Sequence, residues 1–191
     1  MMKNYFIIHG FMGSNIENWF PWFKEKIDSD NCLCIIPQFP IEIGYHTYDS
    51  WKKLLDVYYK EFKMINEKTV MIGHSTGSIC ALKYILENKI KIDKLILVSG
   101  FNNYLSPDEN DIHNKLNPTY YVSEDKICEI KKYANKIVCI YGDNDPYIPQ
   151  EVLHSFAKSI DAKEVIIHSG GHLNSNAGYN SFEEILEEIQ K

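Results

Sequence analysis

The chain contains 191 residues with a mass of 22.3 kDa, of which 45% are apolar and 24% are charged. A chain of this length buries roughly 70% of its unfolded surface, so its core needs neither a metal nor disulfides for stability. All 20 basic residues are lysine, the 26 acidic residues bring the net charge to -6, and no run of lysines resembles a nucleic-acid footprint. Without arginine, an anionic substrate would have to be bound by lysine, backbone N–H groups or a helix N-terminus.

The cysteines form an odd set without a Cys-x-x-Cys pair and lie mostly in apolar runs, at Cys32, Cys34, Cys80, Cys128 and Cys139. This pattern favours reduced thiols with a structural role. The apolar run before His9 has four residues, which is too short for a signal peptide, and no run approaches the ~20 apolar residues of a membrane span. We therefore expect a cytoplasmic protein that does not associate with membranes.

Short apolar runs alternate with longer amphipathic ones, without a repeat or a dividing linker. This rhythm predicts a single domain over residues 1–191 with an α/β fold, a three-layer α/β/α sandwich around a mostly parallel sheet of roughly six strands. Strands that are apolar on both alternations, as expected when helices cover both faces, are predicted over residues 5–8, 32–36, 69–72, 94–99, 136–141 and 164–168. Helices are predicted over residues 19–28, 48–66, 76–87, 123–133, 150–159 and 181–190.

One irregular stretch, residues 101–122, follows the fourth predicted strand and contains Asn, Asp, Pro and Tyr without clean periodicity. Long connections inside compact domains are usually lids or binding segments, which predicts a cover over a site. A short helix followed by an exposed connection explains the stretch equally well.

The sharpest local signal is Gly73-His74-Ser75-Thr76-Gly77, between the third predicted strand and the helix that follows it. A serine on such a turn needs an unusual backbone conformation, and a glycine two residues away on either side lets strand and helix approach closely. This is the context of a nucleophile elbow, which predicts that Ser75 is a nucleophile.

A serine hydroxyl is a weak nucleophile until an imidazole takes its proton, and that imidazole needs an acid to orient it. Asp145 follows the fifth predicted strand and His172 follows the sixth, so both are expected at the same sheet edge as Ser75. The predicted catalytic residues are therefore Ser75, Asp145 and His172, in the chain order of hydrolases built on such a sheet.

Neighbouring residues offer alternatives for this site. Asp143 also follows the fifth strand, but its position beside the strand end suggests a side chain that stabilises the turn. His168 closes an apolar strand, which favours a core or strand-edge position. A metal pair of His168 and His172 would need a helix at this point, and the glycines between them make a helix improbable, so no metal and no cofactor is predicted.

The first strand runs into His9-Gly10-Phe11-Met12-Gly13, similar to the His-Gly element that shapes part of an oxyanion hole. The predicted oxyanion donors are the backbone N–H groups of Phe11 and Thr76. His9 and His74 are predicted to have packing roles. Aromatic residues near predicted strand ends suggest a partly aromatic pocket, and these are Phe11, Trp19, Phe39, Tyr45, Phe101, Tyr104, Tyr120, Tyr121 and Tyr147.

These motifs together resemble the small α/β-hydrolase family that includes retinoblastoma-binding protein nine and the bacterial YdeN-like serine hydrolases. The resemblance extends over nearly the whole chain and is narrowed by the short length and by Asn18-Trp19-Phe20-Pro21-Trp22; further matches are Pro37, Pro40 and Trp51. It implies a sheet shortened at its amino-terminal edge, no large cap domain and a triad of Ser75, Asp145 and His172. Retinoblastoma binding through Leu-x-Cys-x-Glu is not expected, because no cysteine has a leucine two residues before it.

The sequence therefore predicts a serine hydrolase of the carboxylesterase type, which cleaves a small carboxylic ester or a related thioester or amide through an acyl-enzyme on Ser75. Transfer of the acyl group to an alcohol or amine is a variant of this reaction. The alternative from another class is a protein-binding module that keeps the hydrolase scaffold without significant turnover.

Overall fold

The structure, a computed structural model, describes residues 3–29 and 31–190. Within these ranges one sheet is formed, with the strand order β2-β1-β3-β4-β5-β6 and every neighbouring pair parallel. The strands are β1 (Lys3–Ile8), β2 (Cys32–Ile35), β3 (Val70–His74), β4 (Ile92–Val98), β5 (Ala134–Gly142) and β6 (Lys163–Ile167). The helices are α1 (Phe20–Ile27), α2 (Tyr48–Asp56), α3 (Thr76–Asn88), α4 (His113–Leu116), α5 (Glu124–Ile127), α6 (Gln150–Ser159) and α7 (Glu183–Gln190).

Two apolar cores lie on opposite faces of this sheet, because side chains alternate along each strand. In β1, Tyr5 and Ile7 belong to the core with residues of α1 and α7, whereas Phe6 and Ile8 belong to the core with residues of α2, α3 and α6. This division explains why the strands are apolar on both alternations. The predicted α/β class and parallel sheet are confirmed.

The last strand departs from that pattern. Strand β6 forms one edge of the sheet, none of its residues is fully buried, and Ile166 is half exposed. The expectation that helices cover both faces of every strand was wrong here, because an edge strand has one neighbour and is covered only in part.

Two predicted helices are also shorter or less regular than expected. The helix predicted over residues 48–66 is α2 followed by a π-helical turn at Val57–Glu61, and Lys63 beyond it has a φ of 55°, which ends the helical path. The helix predicted over residues 123–133 is α5 followed by a 3-10 helix at Cys128–Lys132. A further 3-10 helix, Asn117–Tyr120, follows α4 directly.

All five cysteines are free thiols, and burial raises the pKa of Cys34 to about 12. Across residues 3–29 and 31–190, no helix has the length and apolar character that crossing a bilayer requires.

Helix α3 begins in close contact with the sheet. A Cβ atom at Gly77 would lie 2.2 Å from the carbonyl oxygen of Ile8 and 2.5 Å from that of His9, and one at Gly73 would lie 2.4 Å from the Cα atom of Ser78. These neighbours are backbone atoms, which cannot move aside without shifting β1 or α3. The glycines of the predicted elbow are therefore required by the packing.

Replacing Gly77 by alanine is expected to destabilise the fold by about 3 kcal/mol or more, because the added methyl group overlaps backbone atoms of β1. The measurement is the free energy of unfolding from urea denaturation. Gly44→Ala is the matched control, since nothing lies within 4 Å of its added Cβ atom, and it should change stability by less than about 1 kcal/mol. Equal stability of both variants would show that α3 does not depend on this close contact.

Candidate active site

Ser75 lies between the end of β3 and the first residue of α3. Its backbone has a φ of 54° and a ψ of -124°, a conformation that non-glycine residues rarely adopt and that is common at functional turns. The backbone N–H of Ser75 donates a hydrogen bond to the carbonyl of Val98 in β4, at 2.8 Å, and this bond holds the turn against the sheet. The side chain lies at a cavity above the carboxyl edge of the sheet.

His172 and Asp145 meet at the same edge. The His172 Nδ1 lies 2.7 Å from the Asp145 Oδ2, and the two side chains are 9% and 0% exposed. The other carboxylate oxygen of Asp145 accepts the backbone N–H groups of Tyr147 and Ile148, at 2.9 and 3.1 Å. Because the carboxylate accepts the Nδ1 proton, Nε2 is left as the basic nitrogen of the neutral ring.

Asp143 and His168, the two alternatives from the sequence, pair with each other instead. The His168 Nδ1 lies 2.8 Å from Asp143 Oδ2, and the backbone N–H of Ser169 donates to Asp143 Oδ1 at 2.8 Å. The His168 side chain is 92% exposed, so of the two predicted positions it occupies the strand edge and not the core. Asp143 thus stabilises the turn after β6, whereas Asp145 contacts His172.

The loop that contains His172 is held by residues far away in the sequence. The indole N–H of Trp19 donates to the carbonyl of Leu173 at 3.2 Å, and Asn18 Oδ1 accepts the backbone N–H of Ser175 at 2.9 Å. Gly171 has a φ of 56°, which favours glycine, and its N–H donates to Asn144 Oδ1 at 2.7 Å. Asn18 and Trp19, the first two residues of the Asn18-Trp19-Phe20-Pro21-Trp22 motif, therefore help to position the loop of His172.

His74 and His9 make hydrogen bonds to backbone groups near the site. His74 Nε2 donates to the carbonyl of His172 at 3.0 Å, and the rings of these two residues are 5.0 Å apart. His9 Nδ1 donates to the carbonyl of Gly10 at 2.9 Å, while its Nε2 accepts the backbone N–H of Phe39 at 3.0 Å. Both imidazoles are buried and make hydrogen bonds to backbone groups, which agrees with the packing roles expected of them.

The predicted oxyanion donors flank Ser75. Thr76 is the first residue of α3, and the first N–H groups of a helix have no partner within the helix. Phe11 follows Gly10, where an added Cβ atom would lie 3.1 Å from the Ser75 Cβ. Phe11 and Thr76 both line the same cavity as Ser75 and His172.

This cavity has a volume of about 650 Å³. Among the aromatic residues suggested by the sequence, Phe11, Phe101, Tyr104 and Tyr147 line it. The others do not, because Trp19, Phe39 and Tyr120 are buried in the cores, Tyr45 is exposed, and Tyr121 is half-buried with its hydroxyl donating to the carbonyl of Tyr104.

The irregular segment of residues 101–122 forms one wall of the cavity. It contributes seven residues to the lining and also contains α4 and the 3-10 helix after it, so both interpretations of the segment apply. We call residues 101–122 the wall segment. Its cavity residues are Phe101, Tyr104, Ser106, Pro107, Asp111, His113 and Asn117.

Sequence reasoning missed several polar residues of this site. Asp111, His113 and Asn117 lie in the wall segment, and Glu17 lies on the loop after β1. No motif or periodicity marks these positions, and only the packing of the loops brings them to the cavity. Nowhere in residues 3–29 and 31–190 do three His, Cys, Asp or Glu side chains form a group that could hold a metal ion.

The model of the serine hydrolase family matches residues 5–191 of this chain. The chain belongs to the serine hydrolase family. The resemblance seen in its motifs is therefore confirmed, and the protein is a hydrolase.

Two curated relatives of this serine hydrolase match it over most of their length. It is 27% identical over 183 residues to the hydrolase YdeN of Bacillus subtilis (strain 168), covering 95% of this chain and 91% of that protein. It is 24% identical to the serine hydrolase RBBP9 of Rattus norvegicus, covering 96% of this chain and 92% of that protein.

Solved structures share the fold. The crystal structure of the ydeN gene product from B. subtilis matches with a TM-score of 0.82 at 27% identity, over 99% of this chain and 97% of that one. Est1E from Butyrivibrio proteoclasticus, solved with bound ferulic acid, matches with a TM-score of 0.67 at 21% identity, over 98% and 90% of the two chains. The likeness to Est1E concerns the α/β-hydrolase fold alone.

His46 is a buried imidazole beside the loop after β1 in this serine hydrolase. Its ring lies 4.5 Å from that of Phe11 and 5.0 Å from that of Trp51, and its Nε2 has no hydrogen-bond partner among the residues that the structure describes. Burial, and to a smaller extent the nearby His9 and His113, lower the pKa of His46 to about 4. Burial likewise lowers the pKa of His74 to about 3.

These lowered pKa values predict an acid-sensitive fold. Between about pH 4 and 6.5 His46 is neutral in the folded chain but protonated in the unfolded chain, so stability is lost as the pH falls through this range. His46→Phe should reduce the slope of unfolding free energy against pH there, by at most about 1.4 kcal/mol per pH unit. Urea denaturation at several pH values measures the slope; the exposed His168→Phe is the control and should leave it unchanged. An unchanged slope in His46→Phe would mean that His46 is not a buried neutral group.

Proposed function

We propose that this serine hydrolase cleaves a small carboxylic ester, or a related thioester or amide, with Ser75 as nucleophile, His172 as general base and Asp145 as the acid that orients it. The observation that supports this most is the 2.7 Å bond between His172 Nδ1 and Asp145 Oδ2, almost fully buried at the cavity where Ser75 lies. The bond leaves Nε2 as the basic nitrogen of the ring.

In the first step Ser75 Oγ attacks the carbonyl carbon of the substrate, and His172 Nε2 takes the hydroxyl proton. The carbonyl oxygen becomes an oxyanion, which accepts hydrogen bonds from the backbone N–H groups of Phe11 and Thr76. The imidazolium that forms is stabilised by the Asp145 carboxylate. His172 then gives its proton to the leaving group, and an acyl group remains on Ser75.

In the second step His172 takes a proton from water, and the resulting hydroxide attacks the acyl carbon. The same donors stabilise the second oxyanion, and the proton on His172 returns to Ser75 Oγ as the acid leaves. His172 makes every proton transfer, and backbone N–H groups stabilise both oxyanions, so the proposed mechanism uses no cofactor.

The cavity supports a compact substrate. Its volume of about 650 Å³ lies in the range typical of small-molecule sites. Aromatic rings of Phe11, Phe101, Tyr104 and Tyr147 provide apolar contact area, and none of the lysines that the structure describes lines the cavity to bind an anionic group. We therefore favour an uncharged acyl or aryl ester.

A fluorophosphonate probe tests the nucleophile. In the proposed reaction Ser75 Oγ forms a bond to phosphorus, fluoride leaves, and the proton passes to His172, so one probe per chain should bind covalently. Ser75→Ala should abolish labelling, as measured by intact-protein mass spectrometry, whereas Ser78→Ala, one turn further along α3, should still be labelled. A folded wild-type chain that takes up no probe would favour the protein-binding module.

The two aspartates after β5 form a matched pair for testing the acid. Asp145→Asn is expected to lower kcat by about 10⁴, because an amide at this position fails to hold the required tautomer of His172. Asp143→Asn, which alters the exposed pair with His168, should retain kcat within about threefold. The assay is release of p-nitrophenol from short acyl esters, with thermal unfolding as the check on folding. A larger loss in Asp143→Asn would reverse the assignment.

A further inference from the structure

The wall segment presents two polar side chains to the cavity from one helical stretch. His113 is the first residue of α4, and Asn117 is the first residue of the 3-10 helix that follows it. A spacing of four residues places both on one face of the stretch, about 5–6 Å apart at their Cβ atoms. Both residues line the cavity that contains Ser75 and His172.

One ring nitrogen of His113 is already occupied. Its Nδ1 lies 2.6 Å from Asp111 Oδ1, and the same oxygen accepts the backbone N–H of His113 at 2.9 Å. The backbone N–H and then the ring of His113 lower the pKa of Asp111 to about 2, so the carboxylate is ionised and accepts the Nδ1 proton. The hydrogen bonds of the described residues leave Nε2 without a partner, and in this tautomer Nε2 is an acceptor.

The oxygen of the Asn117 side-chain amide also has a hydrogen-bond partner. Its Oδ1 accepts a hydrogen bond from Thr76 Oγ1 at 3.2 Å, and the residue is only 4% exposed. Its Nδ2 makes no hydrogen bond to any residue in the ranges 3–29 and 31–190, and the residue lines the cavity. The cavity beside it is the place where a partner for this donor can bind.

Both groups are held in place before any substrate binds. The ring of His113 lies 3.9 Å from that of Phe11, between their centroids. At the base of the wall segment Asn102 and Val122 exchange two hydrogen bonds of 2.8 and 2.9 Å, which close the loop. A fixed donor beside a fixed acceptor loses little entropy when a ligand binds.

We infer that His113 and Asn117 bind a hydroxyl group of the substrate, whose hydrogen is donated to His113 Nε2 and whose oxygen accepts from Asn117 Nδ2. A hydroxyl group is the simplest substituent that donates and accepts at one atom. A carboxylate does not fit, because it would face an acceptor nitrogen in a cavity that Glu17 also lines and that no lysine of residues 3–29 and 31–190 reaches. This inference rests on the proposed function and narrows its substrate class to hydroxyl-bearing esters.

The test compares esters that differ only by a hydroxyl group in place of a methyl group of similar size. On the acyl side, p-nitrophenyl 3-(4-hydroxyphenyl)propanoate is compared with p-nitrophenyl 3-(4-methylphenyl)propanoate. A second acyl pair carries the hydroxyl or the methyl group at ring position 3 instead. On the alcohol side, 2-hydroxyethyl benzoate is compared with propyl benzoate. For at least one pair, kcat/KM of the wild type should favour the hydroxyl member by about tenfold, the combined effect of two hydrogen bonds.

The ratio within that pair is then measured in variants. His113→Phe keeps an aromatic ring on Phe11 but removes Nε2, and Asn117→Leu removes Nδ2, so the preference should fall below about threefold in each. Lys115→Ala is the control, since Lys115 is exposed on the same helix away from the cavity lining and should keep the ratio. Using a ratio within each variant cancels general losses of activity.

Each outcome decides the inference. A wild type that hydrolyses these esters through Ser75 without a hydroxyl preference, or with one that persists in either variant, would overturn it while leaving the proposed function intact. A wild type that neither hydrolyses the esters nor reacts with the fluorophosphonate probe would overturn the proposed function itself.

Discussion

The site of this serine hydrolase depends on one steric constraint, the close contact of α3 with the carboxyl ends of β1 and β3. No side chain fits at Gly73 or Gly77, and Ser75 between them adopts a φ of 54°. Because the helix begins directly after Ser75, the free N–H of Thr76 lies beside the hydroxyl. A single contact between backbones therefore sets the positions of Ser75, the proposed nucleophile, and of Thr76, whose N–H is one of the proposed oxyanion donors.

The part of the site that contains His172 and Asp145 is held instead by hydrogen bonds within and between loops. Asp145 is held by N–H groups of its own turn, while the loop of His172 is bound through Trp19 and Asn18 to the segment before α1. The Trp19 bond is buried and the bond from Ile148 is half-buried, so losing either would leave polar groups unpaired. Hydrogen bonds thus connect the loops after β1, β5 and β6, although they are far apart in the sequence.

The wall segment forms one wall of the cavity. It places His113 and Asn117 at the cavity that Ser75 and His172 also line. His113 Nδ1 contacts Asp111 and Asn117 Oδ1 contacts Thr76, and their remaining polar side-chain atoms have no partner among the described residues. The ring of Phe11 contacts both His46 and His113. In the proposed reaction, substrate choice depends on the connection between β4 and β5, and the chemistry depends on residues after the ends of β3, β5 and β6.

The sequence by itself determined the α/β class, the parallel sheet and the elbow around Ser75, because strand alternation and glycine sterics act over a few neighbouring residues. It also led to Asp145 over Asp143, on the local chemistry of the turn after β5. Only the tertiary structure decided that His168 lies exposed against Asp143, that β6 is a half-exposed edge, and that the helical residues His113 and Asn117 reach the cavity. Those positions depend on contacts between segments distant in sequence, such as Asn117 with Thr76, and no periodicity within one segment records them.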